Sequence, residues 1–202
     1  MDQVVVKPMR VSRLHHSRRW LALPLFIVGV ATIAPLLHAQ PKATEYQVKA
    51  AYLFNFAKFV KWPPDPAARS SSFDICILGQ DPFGATLDAT VGGEKIDGLP
   101  VSIRRIDAVS ESKSCRILFI SKSEEPRLNN LLSEIDRSDT LTVSDIPRFS
   151  KRGGMIEFMP EGNRVRFGIN LDSAERSRLT VSSELLKVAT TVISSTRAGG
   201  LS

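Results

Sequence analysis

The chain predicts an α/β fold: a three-layer sandwich whose mixed, mostly parallel sheet carries an antiparallel hairpin and helices on both faces. Three observations carry that prediction. Short apolar runs, Phe73 to Leu78 and Arg116 to Ser121, have the composition of strands buried on both faces. Stretches with helical apolar spacing alternate with them, as in βα-layered folds. Between Gly153 and Asp172, two runs with strand-like alternation flank the turn formers Pro160-Glu161-Gly162-Asn163. The length of 202 residues suits one domain behind a leader, and 43% apolar with 24% charged residues is an ordinary globular composition.

The elements follow in order. Residues 1–39 read as a signal peptide: Arg10, Arg13, Arg18 and Arg19 precede an apolar run from Trp20 to Leu37, which closes on Leu37-His38-Ala39. Pro24 and Pro35 interrupt that run, which is short for a spanning helix. Cleavage is placed near Ala39. Residues 40–193 then form one domain, and 194–202 a small polar tail.

In the domain, Thr44 caps a helix that spans Glu45 to Trp62, with Tyr46, Ala50, Leu53, Phe54, Ala57, Phe59 and Val60 on one broad face. Trp62-Pro63-Pro64 ends it, because a residue before proline avoids helical angles. Phe73 to Gly79 is a strand; Asp81 and Pro82 open the next helix, which Gly92-Gly93 closes. Residues 93–106 give two short strands around the turn Asp97-Gly98. The Arg116 strand leads to a helix from Glu124 to Asp136, with Leu128, Leu131, Leu132 and Ile135 inward. Thr140 to Ser144 is a strand ending at Asp145. In the hairpin, Ile156 and Phe158 share the apolar face with Val165, Phe167 and Ile169, and Glu157 is expected across from Arg164 and Arg166. Leu171 to Leu179 is a short helix, and Ser183 caps a last one reaching Val192.

The charge balance excludes several functions. Removing residues 1–39 takes away five basic residues against one acidic, so the net charge falls from +6 to +2. A nearly neutral domain has no electrostatic motive for nucleic acid. The same cut removes His15, His16 and His38, all three histidines. Without histidine, Ser/His/Asp and Cys/His catalysis are unavailable, and zinc would need carboxylate ligands alone. The reading is therefore no catalytic residues, no metal and no cofactor: a binding protein rather than an enzyme. Gly79 to Gly84 lacks a phosphate-cradling motif and reads as a strand–helix turn. Asp145 reads as a turn aspartate bonding its own backbone.

Two cysteines remain, Cys76 and Cys115. In an exported chain an even count invites a disulfide, whose loop of about 40 residues would contribute roughly 3–4 kcal/mol; two buried free thiols in neighbouring strands are the alternative. For partner binding the candidates are Trp62 at the exit of the first helix, the basic loop Arg148, Lys151 and Arg152 before Gly153-Gly154, and Glu157. The loop is a contact surface for an acidic or phosphate-bearing partner, or a solvated loop. Glu157 is read mainly as an ion-pair partner of the hairpin arginines. Phe56, Trp62, Met155 and Met159 are the side chains that would serve a dimer, although such residues are more often core.

TVSDIPRF, GGMIEF, RVRFGINLD and LTVSSELLKVA, between Thr140 and Ala189, together with YQVKAAYLFNFAKFVKWP from Tyr46 to Pro63, resemble the YfiR-like family of small periplasmic proteins. The resemblance runs from about Glu45 to about Val192. It implies an exported regulator that binds the periplasmic domain of a membrane-bound diguanylate cyclase and restrains it, lowering cyclic di-GMP and biofilm formation. Such a protein is peripheral to the inner membrane through its partner, and the family is associated with homodimers. The resemblance also supports the Cys76–Cys115 pairing. Some members have a second bridge near the hairpin, which this chain lacks, since no cysteine follows Cys115. The other reading is a periplasmic small-molecule sensor with a pocket between the first helix and the sheet.

Overall fold

The computed structural model describes residues 44–64 and 71–195. The segment read as a leader, 1–39, lies outside them, as do residues 40–43, 65–70 and 196–202. Capping comes first: the Thr44 hydroxyl accepts from the Gln47 amide, and Gln47 returns a bond to the Thr44 amide, fixing the start of α1 (Glu45–Phe59). The helix stops three residues earlier than its apolar spacing suggests. Val60–Lys61 is already extended as β1, paired antiparallel with β9 (Thr180–Val181).

Next come β2 (Phe73–Leu78), α2 (Ala85–Val91), β3 (Lys95–Ile96), β4 (Leu99–Ile106) and β5 (Ile117–Ile120). α3 (Leu128–Ile135), β6 (Leu141–Ser144), β7 (Ile156–Glu161) and β8 (Arg164–Asn170) follow, then α4 (Leu171–Arg176), α5 (Ser183–Val188) and β10 (Thr191–Ile193). Three of these differ from the sequence reading. α2 begins at Ala85, because Gly84 has φ +53° and breaks the helix that Asp81 was expected to cap; the Asp81 carboxylate instead accepts from the Phe83 amide within a turn. The predicted helix from Glu124 is a 3₁₀ turn through Lys122–Arg127 that holds Pro126, and becomes α-helical only at Leu128. The last helix is one turn and a half, capped by Ser182 rather than Ser183. After it the chain re-enters the sheet as β10, parallel to β8, instead of continuing helical to Val192.

Among the described residues the main sheet has eight strands in the order β10-β8-β7-β6-β5-β2-β4-β3. The central strands β4, β2, β5, β6 and β7 run parallel, and β7–β8 is the antiparallel hairpin. Alternation along the strands fills two cores, one on each side. Ile75, Ile77, Ile117, Phe119, Leu141, Val143, Ile156, Phe158, Phe167 and Ile169 face α1, α2, α4 and α5. Cys76, Leu78, Leu118 and Ile120 face α3, with Ile146 and Phe149. The layering matches the predicted sandwich.

Cys76 on β2 and Cys115, just before β5, are bonded to each other, with Cα atoms 5.8 Å apart. The bridge lies in the core on the α3 side and is closed to solvent. On the opposite side an aromatic cluster joins α1 to the hairpin: Tyr52 and Phe56 lie 5.2–6.0 Å, ring to ring, from Phe158 and Phe167.

Candidate functional site

The carboxyl ends of the parallel strands meet the first half of α1 at a buried ionic cluster. Ser144 closes β6 with its hydroxyl, which donates to the Ile120 carbonyl and accepts from the Ile146 amide. That local turn is the one expected of Asp145. Because Ser144 makes it, the Asp145 side chain is released toward α1, and the backbone-bonding role read for it is corrected here. Its Oδ2 accepts from Lys49 Nζ at 2.5 Å and from the Tyr46 hydroxyl at 2.9 Å, with Lys122 Nζ 3.8 Å away. Lys49 Nζ is also 2.5 Å from Glu45, one helical turn back. Lys49 is only 2% exposed and Asp145 7%. Asp145 Oδ1 is buried and has no hydrogen-bond partner among the described residues. Burial first, and then the neighbouring Asp145 carboxylate, push the Tyr46 hydroxyl pKa well above the ordinary tyrosine value, so it stays a donor.

This cluster floors a groove of about 620 Å³ between α1 and the hairpin. Val48, Tyr52, Phe158 and Val165 are among its apolar walls, and Lys122, Arg164 and Arg166 stand at its polar edge. Arg166 is held by Glu161 at 2.8 Å. The sequence reading missed the cluster, although one signal was present. With Glu45 one turn before it, Lys49 falls among Tyr46, Ala50 and Leu53 on the face read as apolar, where an unpaired lysine is not stable.

The predicted contact residues are placed as follows. Arg148, Lys151 and Arg152 share the β6–β7 connection, and Glu157 at the start of β7 organises it. Its carboxylate accepts from the Arg148 amide, the Ser150 amide and the Ser150 hydroxyl at 2.6–3.0 Å. Glu157 is therefore buried, and in the hairpin register it lies opposite Gly168. The expected ion pair with Arg164 and Arg166 is not formed, because the two-residue turn Gly162-Asn163 sets Glu161 against Arg164 and Met159 against Arg166. Arg148, at φ +61°, and Lys151 are exposed. Arg152 is tied down, donating to Asn129 Oδ1 at 3.0 Å with Glu125 3.8 Å away.

Trp62 stands apart, at the other end of the strands. Half-buried, it donates to the Arg116 carbonyl at 3.2 Å and meets Phe73 edge-on. Of the side chains considered for a dimer, Phe56 and Met155 are inside the core; Met159 and Trp62 are half-buried. Among the described residues no group of three or more His, Cys, Asp and Glu side chains is arranged to hold a metal ion, and no helix is long and apolar enough to cross a membrane.

The buried ionic cluster, the open groove and the clamped basic loop thus lie together at the carboxyl ends of the parallel strands. Residues 46–190 match the YfiR/HmsC-like family model, and the chain belongs to that family, whose members are periplasmic regulators. Two solved structures are similar in part. One is a conserved domain protein from Vibrio cholerae O1 biovar El Tor strain N16961, at 10% identity and TM-score 0.49 over 75% of this chain and 61% of that one. The other is the ABC domain from Streptococcus pneumonia in complex with L-Trp, at 13% identity and TM-score 0.43 over 60% and 55%. At these scores neither bears on fold or ligand.

Proposed function

We propose that this protein is a periplasmic regulator that binds the sensor domain of an inner-membrane diguanylate cyclase and holds it inactive, lowering cyclic di-GMP and biofilm formation. The leader over 1–39 is cleaved near Ala39, residues 40–193 act as one domain, and the protein reaches the membrane through its partner. It works by contact and turns over no substrate. The observation that carries this reading is the family match over residues 46–190, a family of regulators. The exposed Arg148 and Lys151, on a loop whose backbone Glu157 clamps, are suited to an acidic surface, because a rigid loop loses little entropy on docking. Glu157 acts there as scaffold, and Trp62 offers a second contact point at the far end of α1.

Deleting the gene tests the proposal. Cellular cyclic di-GMP and surface attachment should both rise, and both should return to the starting level when the wild-type gene is restored. If neither changes, the cyclase reading is wrong.

A further inference from the structure

The groove between α1 and the hairpin is floored by buried charges, which are costly to take out of water. A buried ion pair is often replaceable by apolar side chains with no loss of stability, and an unpartnered buried oxygen makes this one dearer still. Asp145 Oδ1 is such an oxygen, on a side chain that lines the groove at the carboxyl end of β6. In open α/β sheets that edge is where ligands bind.

The charges around it define what would fit. Glu45 and Asp145 are balanced by Lys49 and Lys122, so the inner end is neutral overall and lacks only a hydrogen-bond donor for Oδ1. At the outer edge Arg166 is neutralised by Glu161, but Arg164 is exposed and has no ion-pair partner among the described residues. The rim is therefore positive. Between the two ends, Val48, Tyr52, Phe158 and Val165 offer an apolar wall. The volume of about 620 Å³ is that of a small-molecule site.

We propose that this groove binds a small organic anion with a ring or other apolar body. Its hydroxyl or amide donor satisfies Asp145 Oδ1, and its acid group is taken by Arg164. The site is independent of the cyclase contact: the ligand touches α1 and the hairpin at once, and bridges them whether or not a partner is present.

Three probes separate the terms: 4-hydroxyphenylacetate, phenylacetate without the hydroxyl, and 2-(4-hydroxyphenyl)ethanol without the charge. Backbone NMR titration of the protein, as purified from its producing cells, should show saturable shifts around Val48, Tyr52, Lys122 and Arg164 with the first probe. Each of the other two should bind about tenfold more weakly, the scale of one hydrogen bond to a charged group. Arg164→Gln, at an exposed position that leaves the fold alone, should abolish the preference for the charged probe. Val165→Trp should fill the groove and remove binding while the spectrum stays dispersed. No saturable shift at millimolar concentration, shifts away from the groove, or equal binding by all three probes would overturn the proposal. So would binding that survives both substitutions.

Discussion

Lys49 and Asp145 show why a charge inside a protein is informative. Each is nearly closed to solvent, and each would be costly alone. Lys49→Met leaves the Asp145 carboxylate with Tyr46 and with Lys122 3.8 Å away, and should lower stability by about 3 kcal/mol. Removing the whole network in Tyr46→Phe/Lys49→Met/Asp145→Leu should restore stability to within about 1 kcal/mol of the wild type, as read by urea denaturation. A triple variant as unstable as the single one would mean that the network holds the fold together.

A surface pair gives a pH test at the same scale. Arg105 donates two hydrogen bonds to Asp88 and holds its carboxyl below the ordinary aspartate value. A carboxyl depressed in the folded state contributes stability above its unfolded value, near 4, and loses it as the pH falls through the folded value. Asp88→Asn should therefore cost about 0.5 kcal/mol at neutral pH, a small figure because both side chains face solvent, and nothing in strong acid. At this scale the sequence was legible where chemistry is local, as with the Thr44 cap. It failed where one residue took another's role, as Ser144 did for Asp145.

Elements were legible wherever a single period governed the residues. Ile156, Phe158, Val165, Phe167 and Ile169 do share one face of the hairpin, and the runs of β2 and β5 are the buried strands their composition demands. The errors fall at joints. The register of the hairpin depends on whether Pro160 and Glu161 belong to the turn or to the strand, and that choice moved Glu157 from an ion pair to a loop clamp. β10 was hidden because its three residues follow a helical stretch, and only the exposed edge of β8 makes them a strand.

Two predictions belong here. Gly154 packs against the ring of Phe149 so closely that a methyl group at its Cα would overlap the ring, and Phe149 is fully buried. Gly154→Ala should cost about 2 kcal/mol and loosen the basic loop, detectable as faster amide exchange at Ser150. Replacing both Cys76 and Cys115 with alanine should cost roughly 3–4 kcal/mol, from the 39-residue separation that the bridge closes. A loss below 1 kcal/mol would mean that the unfolded chain gains little freedom when the bridge is removed.

For the molecule as a whole, the candidate contact residues fall at the two ends of the sheet. The groove and the basic loop lie at the carboxyl ends of the parallel strands, and Trp62 lies at the amino ends, joined to them through α1. The family to which the chain belongs is regulatory. The family was readable because its motifs follow the buried pattern of the sheet. The proposed partner was not, because docking surfaces are built from exposed side chains, and the fold places no packing demand on exposed residues such as Arg148 and Lys151.

The most direct test is recovery of the partner. Tagged protein should be purified from detergent-solubilised inner membrane, with and without Arg148→Glu/Lys151→Glu. The account predicts that the wild type brings down a membrane protein with a periplasmic sensor region and a cytoplasmic diguanylate cyclase domain, and that the charge-reversed variant recovers about tenfold less of it. Recovery of no cyclase by wild-type protein that is folded and exported would contradict the account.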